Sequence, residues 1–126
     1  MQLMQQNEIN LKPPLVWAYI GDAVYELYVR TNLAKSTNVN AHKLHKEAIK
    51  YVSAKAQAKK LMEIKEKLTE EELDIVRRAR NTQNHHTPKN TELSEYMYST
   101  AFEALIGYLY LTEQKERLEE ILELSM

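Results

Sequence analysis

The sequence predicts an all-α protein. Proline and glycine are scarce, three and two residues in a chain of 126. Residues that favour helices dominate, and clusters of β-branched residues are few. Apolar residues recur three and four positions apart along most of the chain, the spacing of one helical face.

The elements follow in order. Pro13-Pro14 marks a helix start, because the first turn needs no backbone N–H. A helix from about Pro14 to about Leu33 carries apolar positions 15, 16, 19, 20, 23, 24 and 27. Asn38 or Asn40 caps a second helix reaching about Met62, with Ala41, Leu44, Ala48, Ile49, Val52, Ala56 and Leu61 on one side. Thr69 and Glu72 form a capping box. It opens a short helix that turns Leu73, Val76 and Ala79 inward and ends near Asn81. Residues 82–90 are a polar loop without a hydrophobic anchor. Thr91 or Ser94 starts a helix to about Leu111. Thr112 caps a last amphipathic helix with Leu118, Ile121, Leu122 and Leu124. No repeat or linker divides the chain, so residues 1–126 are expected to form a single domain.

Composition excludes several classes. There is no cysteine, hence no disulfide and no thiolate metal site. The longest apolar run, Ala104 to Leu111, is too short to span a bilayer. The N-terminus lacks the basic start and apolar stretch of a signal peptide. A soluble cytoplasmic protein that does not engage a membrane is the expectation. The net charge of −1 conceals segregation. Residues 30–60 hold eight Lys/Arg and one acid, whereas residues 92–126 hold two bases and eight acids. Residues 77–91 hold Arg77, Arg78, Arg80 and Lys89 and no acid. Such segments can present a face to a polyanion or simply be solvated helix faces.

Two lone acids stand out in apolar helical sequence: Asp22 and Glu103. The two glycines, Gly21 and Gly107, lie in the same segments. Glycine within a helix costs about 1 kcal/mol relative to alanine, and an acid in apolar surroundings is costly unless paired or bound to a cation. Both choices, made twice, predict two closely approaching helices with something held between them. Oxygen ligands alone would favour Mg²⁺, with Mn²⁺ able to substitute. The plainer alternative pairs Asp22 with Arg30 or a backbone donor and Glu103 with a tyrosine hydroxyl.

Ile20-Gly21-Asp22-Ala23-Val24 resembles the signature helix of the ribonuclease III family, and Thr100-Ala101-Phe102-Glu103-Ala104-Leu105-Ile106-Gly107 resembles that family's second acidic motif. The likeness runs from Pro14 to about Leu111, without room for the usual double-stranded-RNA-binding domain. Within the family it resembles the Mini-III branch, and the stretch from Arg77 to Asn90 strengthens that match. The resemblance implies a helical catalytic domain of about five to seven helices acting as a homodimer. It implies Mg²⁺-dependent endonucleolytic cleavage of double-stranded RNA, leaving 5′-phosphate and 3′-hydroxyl ends. Its implied substrate is precursor 23S ribosomal RNA, with assistance from ribosomal protein L3.

Carried over residue by residue, only Asp22 and Glu103 remain as catalytic metal ligands. Leu15, Ala18 and Thr100 stand where the family has acids. Glu26, Glu92 or Glu95 could complete the site. Arg77, Arg80 and Lys89 are expected to contact the duplex backbone. Asn81, Gln83, Asn84, His85 and His86 offer hydrogen bonds to sugars or base edges. Trp17, Val16 and the tyrosines of the Asp22 helix suit either a dimer contact or the core.

Two other functions fit parts of the sequence. One is an all-α nucleotide pyrophosphatase, which would use Glu-x-x-Glu pairs such as Glu63/Glu66, Glu92/Glu95, Glu116/Glu119 or Glu120/Glu123. The other is a non-catalytic dimer that binds double-stranded RNA on the same fold.

Overall fold

In a computed structural model, residues 3–36, 40–82 and 92–126 are described. Seven α-helices account for most of them: α1 (Gln6–Leu11), α2 (Pro14–Ser36), α3 (Ala41–Val52), α4 (Ala54–Ile64), α5 (Glu70–Arg80), α6 (Leu93–Leu111) and α7 (Lys115–Ser125). A 3₁₀ turn at Lys65–Lys67 joins α4 to α5. The described residues contain no strand, in accord with the all-α expectation.

The centre is α6. From Ser99 to Leu109 every residue is buried except Glu103, which is half-buried. A helix apolar on all sides has to be surrounded, and α2, α4, α5 and α7 pack around it. Against α6, α2 runs antiparallel. Trp17 meets the edge of Tyr108 with ring centroids 5.1 Å apart, and Tyr25 meets Phe102 at 5.0 Å. Between these aromatic pairs the two glycines face each other. A Cβ on Gly21 would lie 1.7 Å from the Glu103 carbonyl oxygen, and one on Gly107 would lie 1.8 Å from that of Trp17. The close helix approach expected from the two glycines is therefore present, backbone against backbone.

The helix expected up to Met62 is instead two helices. Ser53 ends α3, where its N–H donates to the Ile49 carbonyl at 3.1 Å, and begins α4, where its Oγ accepts from the Ala56 N–H at 3.3 Å. One serine thus caps both ends of the break. Asn40 caps α3, its Oδ1 accepting from the Lys43 N–H; Asn38 lies outside the described residues, as does Thr91. The Thr69–Glu72 capping box forms as expected. Thr112 closes α6 rather than opening α7, because its Oγ1 donates to the Tyr108 carbonyl at 2.7 Å. Glu113 follows in the left-handed region, with φ 57°, and Gln114 starts α7. The bonds from Glu113 N to Tyr110 O and from Gln114 N to Leu109 O complete a Schellman turn. The short α1 buries only Ile9, too little for a periodic signal. Its Ile9 carbonyl accepts from the Trp17 indole at 2.9 Å.

A long-range clamp fastens α7. Arg117 makes a two-pronged contact with the buried Glu72, at 2.7 and 2.8 Å, and also donates to the Lys67 carbonyl at 2.8 Å. Burial alone would raise the Glu72 pKa, but the bonds from Arg117 and Thr69 outweigh it and hold the carboxyl below its ordinary value. This contribution to stability is present above the ordinary carboxylate range and is lost as pH falls through the depressed value. Replacing Arg117 by Ala leaves Glu72 buried without its countercharge. The expected loss is about 3 kcal/mol, read as a lowered urea midpoint with unchanged slope.

Candidate active site

The glycine crossing determines what lies beside it. Asp22 and Glu103 each adjoin the contact, one on α2 and one on α6. Asp22 is exposed at the rim, not buried as its apolar neighbours suggest. The buried residues of α2 are Trp17, Ala18, Gly21, Tyr25, Val29 and Leu33, and Asp22 falls about 100° around the helix from Gly21, at the edge of that face. Glu103 is recessed beneath it.

The two carboxyl groups are within hydrogen-bonding reach of each other. Burial first, then the adjacent Asp22, push the Glu103 pKa up from 4.5 to about 9. Glu26 adds further negative charge, while a hydrogen bond from Gln57 works in the opposite direction. Gln57 Nε2 donates to Glu103 Oε2 at 3.4 Å, and Ser99 Oγ donates to Gln57 Oε1 at 2.7 Å. Arg30 does not neutralise Asp22; it pairs with Glu26 at 2.9 Å. Glu103 bonds to an amide rather than a tyrosine hydroxyl.

Two carboxyl groups converging without a basic partner among the described residues form a donor set suited to a hard divalent cation. Among the described residues, no group of three or more His, Asp and Glu side chains could hold a metal ion. Among those residues Asp22 and Glu103 are thus the pair that could contact such an ion, and its other positions would fall to water and substrate oxygens. Glu92 and Glu95 do not join them: Glu95 lies eight residues before Glu103, about 12 Å along α6. Thr100 is buried one turn before Glu103 and brings no charge.

The electrostatics carry a pH signature. Without metal, folded Glu103 keeps its proton between pH 4.5 and about 9 while the unfolded chain does not. Its contribution to stability is therefore complete below pH 4.5 and is lost as pH rises towards 9. Glu103→Gln, uncharged at every pH, should melt higher than wild type at pH 8 in chelator, by about 5 °C. Melting curves from pH 5 to 9 check this; a difference that does not grow with pH would refute it.

Of the expected RNA-contacting residues, Arg77, Arg80 and Asn81 lie at the C-terminal end of α5. Arg77 is exposed and pairs with Asp74. Arg77, Arg80 and Lys65 line a groove of about 210 Å³ floored by Leu61, Val76 and Tyr98. This groove shares α4 and α6 with the carboxylate site. Gln83, Asn84, His85, His86 and Lys89 lie outside the described residues.

Trp17 belongs to the core: it is fully buried, with the Arg78 guanidinium 5.1 Å above its ring. Tyr19 and Leu27 are the exposed large apolar side chains of α2, at 78% and 68%. Gln57 had a sequence signal that charge and motif do not pick up. It is the one long uncharged polar residue on the inward Ser53, Gln57, Leu61 and Ile64 stripe of α4.

The ribonuclease III domain model matches residues 15–114 of this chain. The chain belongs to the ribonuclease III family. It is 51% identical over 99% of its length to a Mini-ribonuclease 3 of Thermoanaerobacter sp. (strain X514), covering 88% of that protein. It is 46% identical to the Mini-ribonuclease 3 of Staphylococcus aureus (strain NCTC 8325 / PS 47), covering 97% of this chain and 92% of that one. A crystal structure of a Fusobacterium nucleatum protein superposes with TM-score 0.82 at 32% identity, covering 92% of this chain and 93% of the other. The chain is an endoribonuclease of the ribonuclease III type. Ribonuclease III enzymes act on double-stranded RNA and depend on divalent metal. The Glu-x-x-Glu pairs of a pyrophosphatase lack that setting: Glu63 and Glu120 are exposed and engaged by Lys60 and Arg117. No helix of the described residues is long and apolar enough to cross a membrane.

Proposed function

We propose that this ribonuclease III-type chain cleaves double-stranded RNA with Mg²⁺, or Mn²⁺ in its place, held by Asp22 and Glu103. The observation that carries this reading is the convergence of the two carboxyl groups, with no basic side chain among the described residues acting on Glu103. When bound, such an ion activates water and neutralises charge at a phosphoryl oxygen. Asp22, at the rim, is the ligand open to substrate. Glu103, recessed and hydrogen-bonded by Gln57, is the fixed one. Arg77 and Arg80 hold phosphates of the duplex from the end of α5, aided by Asn81. Gln83, His85, His86 and Lys89 extend that contact. Arg77, Arg80 and Lys89 position the duplex backbone, while Asn81, Gln83, His85 and His86 bond to sugars or base edges.

The whole chain acts as one catalytic domain in this reading, and two copies supply one site per strand. Tyr19, Ala23 and Leu27 form an exposed stripe on α2 beside Asp22 that a second copy would cover. The natural substrate is precursor 23S ribosomal RNA in the cytoplasm, with ribosomal protein L3 assisting. The deciding experiment offers duplex RNA, single-stranded RNA and duplex DNA, each with Mg²⁺ or chelator. Metal-dependent cuts confined to duplex RNA are expected. Equal cutting of single strands, or cutting in chelator, would overturn the reading.

A further inference from the structure

The amide of Gln57 is fully buried, at 0% exposure. A buried amide is costly unless its polar atoms are bonded, so its partners fix its direction. Ser99 Oγ donates to Oε1 at 2.7 Å, which turns Nε2 towards Glu103 Oε2 at 3.4 Å. Ser99 and Glu103 lie one turn apart on α6, so a single side chain from α4 spans both. The root of Gln57 is equally fixed. It lies in the first turn of α4, and its N–H donates to the Ser53 carbonyl at 3.0 Å. α4 packs against α6, and Ala58, next to Gln57, is buried as well.

We propose that Gln57 is a positioning residue for the metal site: with Ser99 behind it, it occupies one oxygen of Glu103 and turns the other towards Asp22 and the cation. The inference rests on the function proposed above. Hydrogen bonds to a ligating carboxylate orient it, and losing such a partner typically costs 10–100-fold in metal affinity or activity. A mere tie between helices would affect stability alone.

The test uses the full chain with Gln57→Leu and Ser99→Ala. Two quantities are read: Mn²⁺ half-saturation from the melting-temperature shift without RNA, and kcat and KM on a duplex RNA. For Gln57→Leu, half-saturation should rise about tenfold and kcat fall about 10–100-fold, with KM near that of wild type. Ser99→Ala should move both in the same direction by less, and it decides the matter if Gln57→Leu does not fold. Variants that melt lower in chelator yet keep wild-type half-saturation and kcat would reduce Gln57 to a structural tie and overturn the proposal. If wild type itself shows neither cleavage nor a Mn²⁺ shift, the function fails and this role with it.

Discussion

Asp22→Asn should abolish cleavage of duplex RNA, by about 10³-fold or more, while leaving the fold and RNA binding intact. The substitution is nearly isosteric and removes a charge from an exposed position, so no cavity or buried orphan results. It also relieves Glu103 of its neighbouring carboxylate, one of the causes that push the Glu103 pKa up to about 9. Metal-free Asp22→Asn should therefore be at least as stable as wild type. The catalytic loss comes from the ion. A bound divalent cation contributes several kcal/mol of transition-state charge stabilisation, and each 1.36 kcal/mol is a factor of ten in rate. Single-turnover cleavage at saturating enzyme separates this from binding: the rate constant should collapse while the RNA dissociation constant stays put. An Asp22→Asn protein that is folded and cuts duplex RNA at the wild-type rate would remove Asp22 from the site.

The elements of this site were unequally legible in sequence. Gly21 and Gly107 could be read because their helical cost demands a return, and a backbone crossing is the return. The Thr69–Glu72 box could be read because its hydrogen bonds are local. Asp22 lies at the rim despite its apolar sequence neighbours, because neighbours in sequence are not neighbours around a helix, and Tyr19 on the same side is largely exposed. The Ser53 break was hidden by the unbroken amphipathic pattern on either side of it. The α7 cap moved to Gln114 because a glutamate, not a glycine, takes the left-handed position at Glu113. Gln57–Glu103 and Arg117–Glu72 join residues 46 and 45 positions apart; no local pattern reports such pairings.

Gly21→Ala should destabilise the protein by about 3 kcal/mol, at the upper end of the usual cost of overpacking. Two effects compete. Alanine gains about 1 kcal/mol of helix propensity over glycine. Against this, the new methyl would sit 1.7 Å from the Glu103 carbonyl oxygen and 2.7 Å from the Gly107 nitrogen. Both are backbone atoms of α6, which cannot move aside as a side-chain tip can. The clash wins unless α2 and α6 separate, and separation loosens the Trp17–Tyr108 and Tyr25–Phe102 contacts on either side of the crossing. Gly107→Ala meets the Trp17 carbonyl at 1.8 Å and should behave alike. The same separation draws Asp22 away from Glu103, because Asp22 adjoins Gly21 and Glu103 lies one turn before Gly107. Both variants should therefore bind Mn²⁺ more weakly than wild type even at temperatures where they remain folded. Thermal unfolding in chelator and with added Mn²⁺ measures both effects in one experiment. A melting temperature raised by Gly21→Ala would mean that helix propensity outweighs contact, and that the helices do not cross as closely as the geometry requires.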